Sequence, residues 1–327
     1  MSFASIRGQE VAKRLLQSSL KANKLSHAYI FHGPVGTSRK QMAIALAKAI
    51  YCLNGVEESC GECIECRKVE HGNHPDLHIV EPDGATIKID QIRELQKEFA
   101  YRATASVDGT KIYIIQHADA MTVQAANSLL KFLEEPISKV VAILITENGH
   151  ALLPTIRSRA QWVTFVPVPR DLMIEQLLQE GFPNHLIYPA VHLTAGPEAA
   201  RELITTNWFA EIRNVVIQLT KETLTRFPSS FVTVGQKWSK SDLSDHTDTL
   251  FDLLILWLKD IVQLSSGNKE KLVYIDQTDW MTSISYSRDS AEWVRILEKA
   301  VELRTRLRSN ANPQLLLEKM LVVIQGG

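Results

Sequence analysis

The stretch Gly33-Pro34-Val35-Gly36-Thr37-Ser38-Arg39-Lys40 decides the fold of this chain, because it has the position and spacing of a phosphate-binding loop. It follows an apolar run, Ala28–Phe31, and precedes a helix-like run, Gln41–Tyr51. The pattern G-x-x-x-x-G-K-[ST] joins a strand to a helix. The stretch therefore predicts an α/β domain with this loop at the carboxyl edge of a parallel sheet.

The same loop lacks the residue types that its chemistry requires. In the pattern a glycine lets the backbone approach the phosphates, a lysine reaches the β- and γ-phosphates, and a hydroxyl holds magnesium. Ser38, Arg39 and Lys40 stand at those three positions, and a shift by one residue does not restore the glycines. We therefore expect a degenerate loop, framed by Gly33 and Gly36, that does not bind ATP or does not hydrolyse it.

The acidic pair of a phosphate-loop ATPase is missing as well. One carboxylate of such a pair holds magnesium and its neighbour activates water. The strand predicted at Ile112–Ile115 ends in Gln116 and His117, and neither is a carboxylate. Asp119 lies two residues further on, and we expect it to point elsewhere. Two independent losses predict that hydrolysis at this site is absent.

The first half of the chain alternates β-rich runs with amphipathic runs. This alternation predicts a mostly parallel sheet with helices on both faces. Asp90 and Thr122 are predicted N-caps of two of these helices. The predicted strands are Ala28–Phe31, Leu77–Val80, Ile112–Ile115, Val140–Ile145 and Trp162–Val166.

The second half is almost wholly helical after the break at residues 167–169, which read Pro-Val-Pro. Thr249–Leu264 is apolar nearly all round and predicts a buried helix. Asn312 is a predicted cap of the last helix, with Pro313 at its first position. We interpret the arginines at 304, 306 and 308 as a solvated helix face. The expected domains are an α/β domain (1–167), a three-helix lid (168–206) and a helical domain (207–327).

All four cysteines of the chain lie within fifteen positions, in the spacing C-x7-C-x2-C-x2-C. Four thiolates suit a tetrahedral, structural Zn²⁺ site, and they leave no open position for catalysis. The alternative is four free or oxidised thiols in a loop. The surrounding insert is polar and acidic, so we expect it to fold only with its metal. The predicted ligands are Cys52, Cys60, Cys63 and Cys66.

Composition narrows the class of protein. Of 327 residues 45% are hydrophobic, and 36 basic residues face 37 acidic ones, for a net charge of −1. A dedicated polyanion binder would carry a basic excess. Residues 1–7 lack the apolar region of a signal peptide, and the longest apolar run of the second half, Leu253–Leu258, is far shorter than the roughly 20 residues of a membrane span. We expect an intracellular, cytoplasmic protein that uses cysteine as a metal ligand.

Several motifs together resemble the AAA+ clamp-loader ATPases of bacteria, over about residues 5–205. Four cysteines directly after the helix that follows the loop are typical of that family. The helical remainder fits its collar domain. The other matching segments are Ile6–Gln9 (entry motif), Ser26–Pro34 (approach to the loop), Asn127–Pro136 (after the Walker B strand) and Leu153–Arg159 (the Ser-Arg-Cys motif, with Ala160 in place of the cysteine).

The resemblance implies roles for several residues. Arg159 would be an arginine finger that reaches into the ATP site of a neighbouring subunit, where such a group is worth about 10³–10⁵ in rate. The alternative is that Arg157 and Arg159 are surface charges at a loop end. Thr146 stands at the family's first sensor position. Glu198 or Ala199 stands where active subunits carry a nucleotide-sensing arginine.

The resemblance also implies a function: a non-hydrolysing subunit of the DNA polymerase III clamp loader. Its partners would be the gamma/tau ATPase subunits and a delta subunit in a hetero-oligomeric ring, with the sliding clamp and primer-template DNA bound through the complex, and no membrane. One alternative is a weak or atypical NTPase in which Arg39 replaces the lysine, and between the two lies nucleotide binding without turnover. Another is a zinc-dependent DNA-binding module, against which the acidic insert argues.

Overall fold

The computed structural model describes residues 2–55, 57–100, 109–134, 139–238, 242–309 and 311–326. The chain forms two compact units. The first combines Met1–Leu172 with Ala195–Glu198, and the second combines Met173–Thr194 with Ala199–Gly327. The finer division at 1–167, 168–206 and 207–327 stays a prediction.

The first unit contains a five-stranded parallel sheet with the order β2-β3-β4-β1-β5. Ala28 lies opposite Ala142 of β4, and Tyr29 lies opposite Gln161 of β5. The predicted parallel sheet is thus confirmed. Its strands are β1 (Ala28–His32), β2 (Leu77–Val80), β3 (Lys111–Ile115), β4 (Val140–Thr146) and β5 (Gln161–Thr164).

The last strand ends two residues earlier than predicted. The side-chain amide of Gln9 accepts a hydrogen bond from the N–H of Val166 (3.2 Å) and donates one to its carbonyl oxygen (2.7 Å). A buried side chain therefore satisfies the backbone groups that a further strand residue would have paired.

Helices cover both faces of the sheet. Neighbouring residues of each strand face opposite sides, so each strand contributes side chains to both faces. Tyr29 and Phe31 enter one apolar cluster, whereas Ile30 and Tyr113 enter the other. The predicted two-faced core is therefore confirmed. The helices of this part are α1 (Glu10–Lys21), α2 (Arg39–Tyr51), α3 (Ile64–Glu70), α4 (Ile89–Ala100), α5 (Val123–Glu134) and α6 (Pro154–Arg157).

The two predicted caps in this unit have different outcomes. Thr122 Oγ1 accepts a hydrogen bond from Ala125 N at 3.2 Å and caps α5 as predicted. The prediction that Asp90 is an N-cap is wrong, because α4 begins at Ile89 and Asp90 lies inside its first turn. Residues 135 and 136, the end of the segment that resembles the region after Walker B, lie outside the described residues.

The second unit is helical. Within the described residues, no helix combines the length and the apolar character that crossing a bilayer requires. The buried helix predicted at Thr249–Leu264 is confirmed as α12, and Asn312 Oδ1 caps the last helix by accepting a hydrogen bond from Leu315 N at 3.2 Å. The remaining helices are α7 (Arg170–Gln179), α8 (Asn184–Leu193), α9 (Pro197–Thr205), α10 (Asn207–Thr225), α11 (Phe227–Thr233), α12 (Thr247–Ser265), α13 (Thr278–Ser285), α14 (Ser290–Arg306) and α15 (Pro313–Gln325).

Arg304 joins α14 to α12. Its guanidinium donates to both carboxylate oxygens of Asp252 (2.8 and 3.1 Å) and lies 2.9 Å from a carboxylate oxygen of Asp248. The interpretation as a solvated helix face therefore holds for exposed Arg306 and is wrong for Arg304, whose side chain is 19% exposed. The side chain of Arg308 lies outside the described part of the chain.

A buried carboxylate ties α12 to the loop that leads to α13. Asp260 is 1% exposed, and its Oδ2 accepts hydrogen bonds from Val273 N and Tyr274 N, both at 2.8 Å. Burial raises the pKa of Asp260 to about 6, although the two N–H donors act in the opposite direction. The folded chain therefore holds a proton at Asp260 at pH values where the unfolded chain has released it.

We expect this group to make the protein less stable as the pH rises from about 4 to about 6, since the unfolded chain then binds fewer protons than the folded one. A pKa difference of about two units corresponds to about 3 kcal/mol. Denaturant unfolding of wild type and Asp260→Asn between pH 4 and 7 measures the effect, because the variant lacks this titration. Its stability relative to wild type should improve by up to this amount across the window.

The matched control for Asp260 is Asp279→Asn, since Asp279 is an exposed carboxylate of the same unit. Its stability relative to wild type should change far less with pH. A constant difference between Asp260→Asn and wild type from pH 4 to 7 would contradict the assignment.

Candidate functional site

The degenerate loop between β1 and α2 contains two residues with left-handed backbone geometry. Gly36 has φ 85° and Ser38 has φ 60°, and both lie in the left-handed region. Ser38 stands where the pattern requires glycine, and a side chain in this conformation costs about 1–2 kcal/mol. A Cβ at Gly33 would lie 2.4 Å from the carbonyl oxygen of Phe165. The glycine-type geometry is thus retained even where the glycine is lost.

Arg39 points into the protein. Its guanidinium donates to the carbonyl oxygen of Thr146, which also accepts a hydrogen bond from Gly33 N at 3.3 Å. Burial lowers the pKa of Arg39, while the charges of Glu147 and Asp119 act in the opposite direction. The charge of Asp119 thus acts on Arg39, while the expectation that its side chain points elsewhere stays a prediction. This arrangement gives no support to Arg39 as a substitute for the missing lysine.

A carboxylate and a backbone segment lie directly on the loop. Ser38 Oγ donates a hydrogen bond to Glu198 Oε2 at 2.8 Å. A Cβ at Gly196 would lie 1.7 Å from the carbonyl oxygen of Gly36, so the two backbones are in close contact. Of the two candidates for the position of the sensing arginine, Glu198 is therefore the residue at the loop. A negative charge here opposes the binding of phosphate.

Lys40 pairs with a carboxylate of the chain itself. Its Nζ lies 3.0 Å from Glu81 Oε1, and the same oxygen accepts a hydrogen bond from Gln116. His117, in the left-handed region at φ 49°, is exposed. Both cations of the loop, Lys40 and Arg39, are thus engaged within the chain.

Thr146 ends β4 beside the loop, where the resemblance puts the first sensor. It is 1% exposed, and its Oγ1 has no hydrogen-bond partner among the described residues. Its carbonyl oxygen, as described above, receives the Arg39 guanidinium. In this chain the carbonyl oxygen of Thr146, rather than its hydroxyl, forms hydrogen bonds with the loop.

Arg159 is exposed just after the short helix α6. Its Nη1 donates to the carbonyl oxygen of Thr155 at 3.1 Å and lies 3.5 Å from Ser158 Oγ. Ile156 is fully buried and anchors α6 in the core of the first unit. Arg157 is half-buried. Of the two arginines, Arg159 is the one at the surface, on a short and firmly packed element.

The four cysteines form one cluster, with all Sγ atoms within 4.8 Å of one another. A tetrahedral site with Zn–S bonds of about 2.3 Å separates its sulfurs by about 3.8 Å, so the set fits such an ion. Cys52 follows the end of α2, as predicted, and Cys63 and Cys66 lie at the start of α3. The sulfur of Cys52 accepts a hydrogen bond from Cys60 N at 3.2 Å. The cluster can hold a metal ion.

Two of the thiols differ in their environments. The backbone N–H of Cys63 is the main cause that lowers the pKa of Cys60, to about 6. Burial raises the pKa of Cys66. A bound cation would favour the thiolate at both positions, because metal ligation requires deprotonated sulfur.

Two family descriptions match the chain: "DNA polymerase III, delta subunit" over residues 8–169, and "DNA polymerase III, delta subunit, C terminal" over residues 206–326. The DNA polymerase III subunit delta' of Bacillus subtilis is 37% identical over 96% of this chain and 95% of that protein. The chain belongs to the DNA polymerase III delta' family.

Other relatives agree with this family. Subunit delta' of Pseudomonas aeruginosa is 29% identical, and the match covers 91% of each chain. Subunit tau of Bacillus subtilis is 34% identical over 54% of this chain and 31% of tau. The resemblance found from the motifs of the sequence is therefore confirmed.

Sequence reasoning missed the carboxylates that engage the loop's cations. Glu81 follows β2 directly, and Glu147 follows β4 directly. Both were recognisable in principle, because the carboxyl ends of parallel strands form the ligand-binding edge of such a sheet. The signal was an acidic residue within two positions of the carboxyl end of these two predicted strands.

Proposed function

We propose that this chain is a non-hydrolysing subunit of a DNA polymerase III clamp loader. It completes a hetero-oligomeric ring with gamma/tau-type ATPase subunits and a delta subunit, and it supplies Arg159 to the ATP site of a neighbour. In this way it helps to load the sliding clamp onto primer-template DNA, in the cytoplasm. The match to residues 206–326 supports a separate collar domain from about residue 207.

One observation carries the non-hydrolysing part of the proposal: the chain's own groups engage the loop where phosphate would bind. Arg39 is buried against a carbonyl oxygen, and Glu198 accepts the hydrogen bond of Ser38. Like unit charges about 4 Å apart repel by about 4 kcal/mol at an effective dielectric constant of 20. A triphosphate would have to displace Glu198 and would find no free lysine.

Steady-state ATP turnover tests the function. The isolated chain should have none, and the chain should stimulate turnover when it is mixed with an intact loader ATPase. Turnover by the isolated chain would instead indicate an atypical NTPase. ATP binding without turnover would indicate that the loop keeps its ligand but not its chemistry.

The degenerate loop, which Glu198 contacts, leads to a separate prediction. Ser38→Gly with Arg39→Lys and Lys40→Ser rewrites the loop to the full pattern, and added Glu198→Ala removes the resident carboxylate. We expect the fourfold variant to bind ATP at least about 10-fold more tightly than the threefold one, since about 1.4 kcal/mol corresponds to tenfold. Titration with a fluorescent ATP analogue measures this.

The control for Glu198→Ala is Glu202→Ala in the threefold background, because Glu202 is an exposed glutamate of the same helix, α9. It should leave ATP affinity unchanged. Equal ATP affinities of the threefold and fourfold variants would show that Glu198 does not oppose ATP binding at the loop.

For the cysteine cluster we propose Zn²⁺ as the ion. Four thiolates at tetrahedral spacing support this choice, and four protein ligands leave no position for a substrate. The residues that would hold it are Cys52, Cys60, Cys63 and Cys66. The ion would serve to fold the polar insert, which has little apolar surface of its own to bury.

A further inference from the structure

The cysteine insert contacts the N-terminal end of the chain through a carboxylate. Glu58 Oε1 accepts a hydrogen bond from Phe3 N at 3.0 Å, and Oε2 accepts one from Ala4 N at 3.2 Å. These donors open the short 3-10 turn Phe3–Ser5, whose first N–H groups have no partner within the turn. A single side chain of the insert thus satisfies two adjacent backbone donors of a segment more than fifty residues away.

The segment held in this way is part of the core. Phe3 is fully buried in the same apolar cluster as Tyr29 and Phe31, and Ile6 of the same cluster is 4% exposed. Residues 2–6 therefore cover one face of the sheet. If the segment left, a large aromatic side chain would enter water and the cluster would lose its cover.

The loop that carries Glu58 is closed by two of the cysteines. Cys60 N donates to Cys52 Sγ at 3.2 Å, which brings the two ends of the loop together. Inside it, a Cβ at Gly55 would lie 2.0 Å from the carbonyl oxygen of Glu58, and Ser59 N donates to Glu58 Oε1 at 3.2 Å. Two sulfurs bound to one ion would fix the ends of this loop, and with them the position of the carboxylate.

We infer that metal binding by the insert locks residues 2–6 into the core through Glu58, and that loss of the metal releases this segment while the sheet stays folded. The inference rests on the metal occupancy proposed above. Without the ion, the loop keeps the weak hydrogen bond from Cys60 N to Cys52 Sγ but loses the bonds of both sulfurs to one ion. The Glu58 carboxylate is then no longer held opposite the N–H groups of Phe3 and Ala4.

Amide hydrogen exchange of the full, zinc-loaded chain tests the role of Glu58. Glu58→Ala should raise exchange in the N-terminal peptide through Ile6 by about 10- to 100-fold, because two charge-assisted hydrogen bonds are lost. Zinc content should stay at that of wild type. The matched control is Glu57→Ala, since Glu57 lies in the same loop and pairs with Lys21 at the surface (2.8 Å). It should leave N-terminal exchange unchanged.

Chelation tests the coupling to the metal. In wild type it should raise N-terminal exchange by a similar factor, leave β3 protected, and abolish the further effect of Glu58→Ala, because both changes break the same connection. Any one of three results would overturn the inference. The N-terminal peptide could stay protected after chelation, β3 could lose protection in parallel, or Glu58→Ala could leave N-terminal exchange unchanged. Elemental analysis separates the two proposals. A chain that never holds metal contradicts the proposed metal site. A metal-loaded chain whose N-terminal hydrogen exchange does not change on chelation contradicts this inference alone.

Discussion

Arg159→Ala is expected to lower ATP turnover at the neighbouring ATPase site by about 10³-fold or more, the effect of losing an arginine finger supplied in trans. The guanidinium would neutralise charge that develops on the transferring phosphate. Arg159 is exposed, so its loss should leave the fold and the free energy of unfolding almost unchanged. Turnover of the reconstituted loader, measured with saturating chain, gives the result.

Two further variants separate the finger from a general charge effect. Arg159→Lys keeps the charge but loses the planar fork, so it should restore only a small part of the turnover. Arg170→Ala removes another exposed arginine of the same unit, at the start of α7, and should have no effect. Full turnover with Arg159→Ala, in a loader shown to contain the variant, would rule out the finger.

Cys66→Ser is expected to weaken zinc binding by more than about 100-fold. Changes made only in the outer shell of a metal site already cost up to that factor, and Cys66 is a proposed ligand. Cys66 is the fully buried member of the cluster, and its sulfur lies at the start of α3. Structural zinc supplies about 10–16 kcal/mol to the folding of small zinc-dependent peptides, so we expect α3 and its loop to lose their ordered structure in the variant. Competition with a chromophoric chelator measures the affinity.

The matched control for Cys66→Ser is Ser59→Ala, since Ser59 is a buried residue of the same insert that lies outside the ligand set. Its zinc affinity should stay within about tenfold of wild type. Cobalt substitution gives an independent readout, because tetrahedral thiolate coordination produces intense absorption. If the purified, folded chain holds no metal and takes up none, the four-thiolate site is wrong.

Local patterns in the sequence predicted the sheet well. β1, β3 and β4 were visible as apolar runs because central strands of a parallel sheet are buried on both faces. The edge strands β2 and β5 are less buried and were visible from their β-branched and aromatic residues. The caps at Thr122 and Asn312 were predicted for a similar reason, since capping depends on residues within one turn. No individual prediction was made for α1, α3, α6, α11 or α13. Apart from α1 these helices are short, and a single residue, Arg226, separates α11 from α10.

In the candidate site as well, some features were predictable from local sequence and others were not. The loss of the phosphate-loop chemistry and the set of four cysteine ligands follow from residue types at fixed spacing, and the sequence alone predicts them. Pairings between distant residues do not follow from spacing. Arg304 with Asp252 is one example, and the buried Asp260 with its two N–H donors is another. Nothing local distinguishes these side chains from solvated charges.

The sequence by itself determined the parallel sheet, the degenerate loop, the clustered cysteines and the family of this protein. Only the tertiary structure decided what became of the loop: Glu198, 160 positions away, lies on Ser38, and Arg39 turns inward to the carbonyl oxygen of Thr146. The physical reason is that spacing along the chain fixes local geometry and ligand sets, whereas which distant charge meets which is settled by the packing of the folded core.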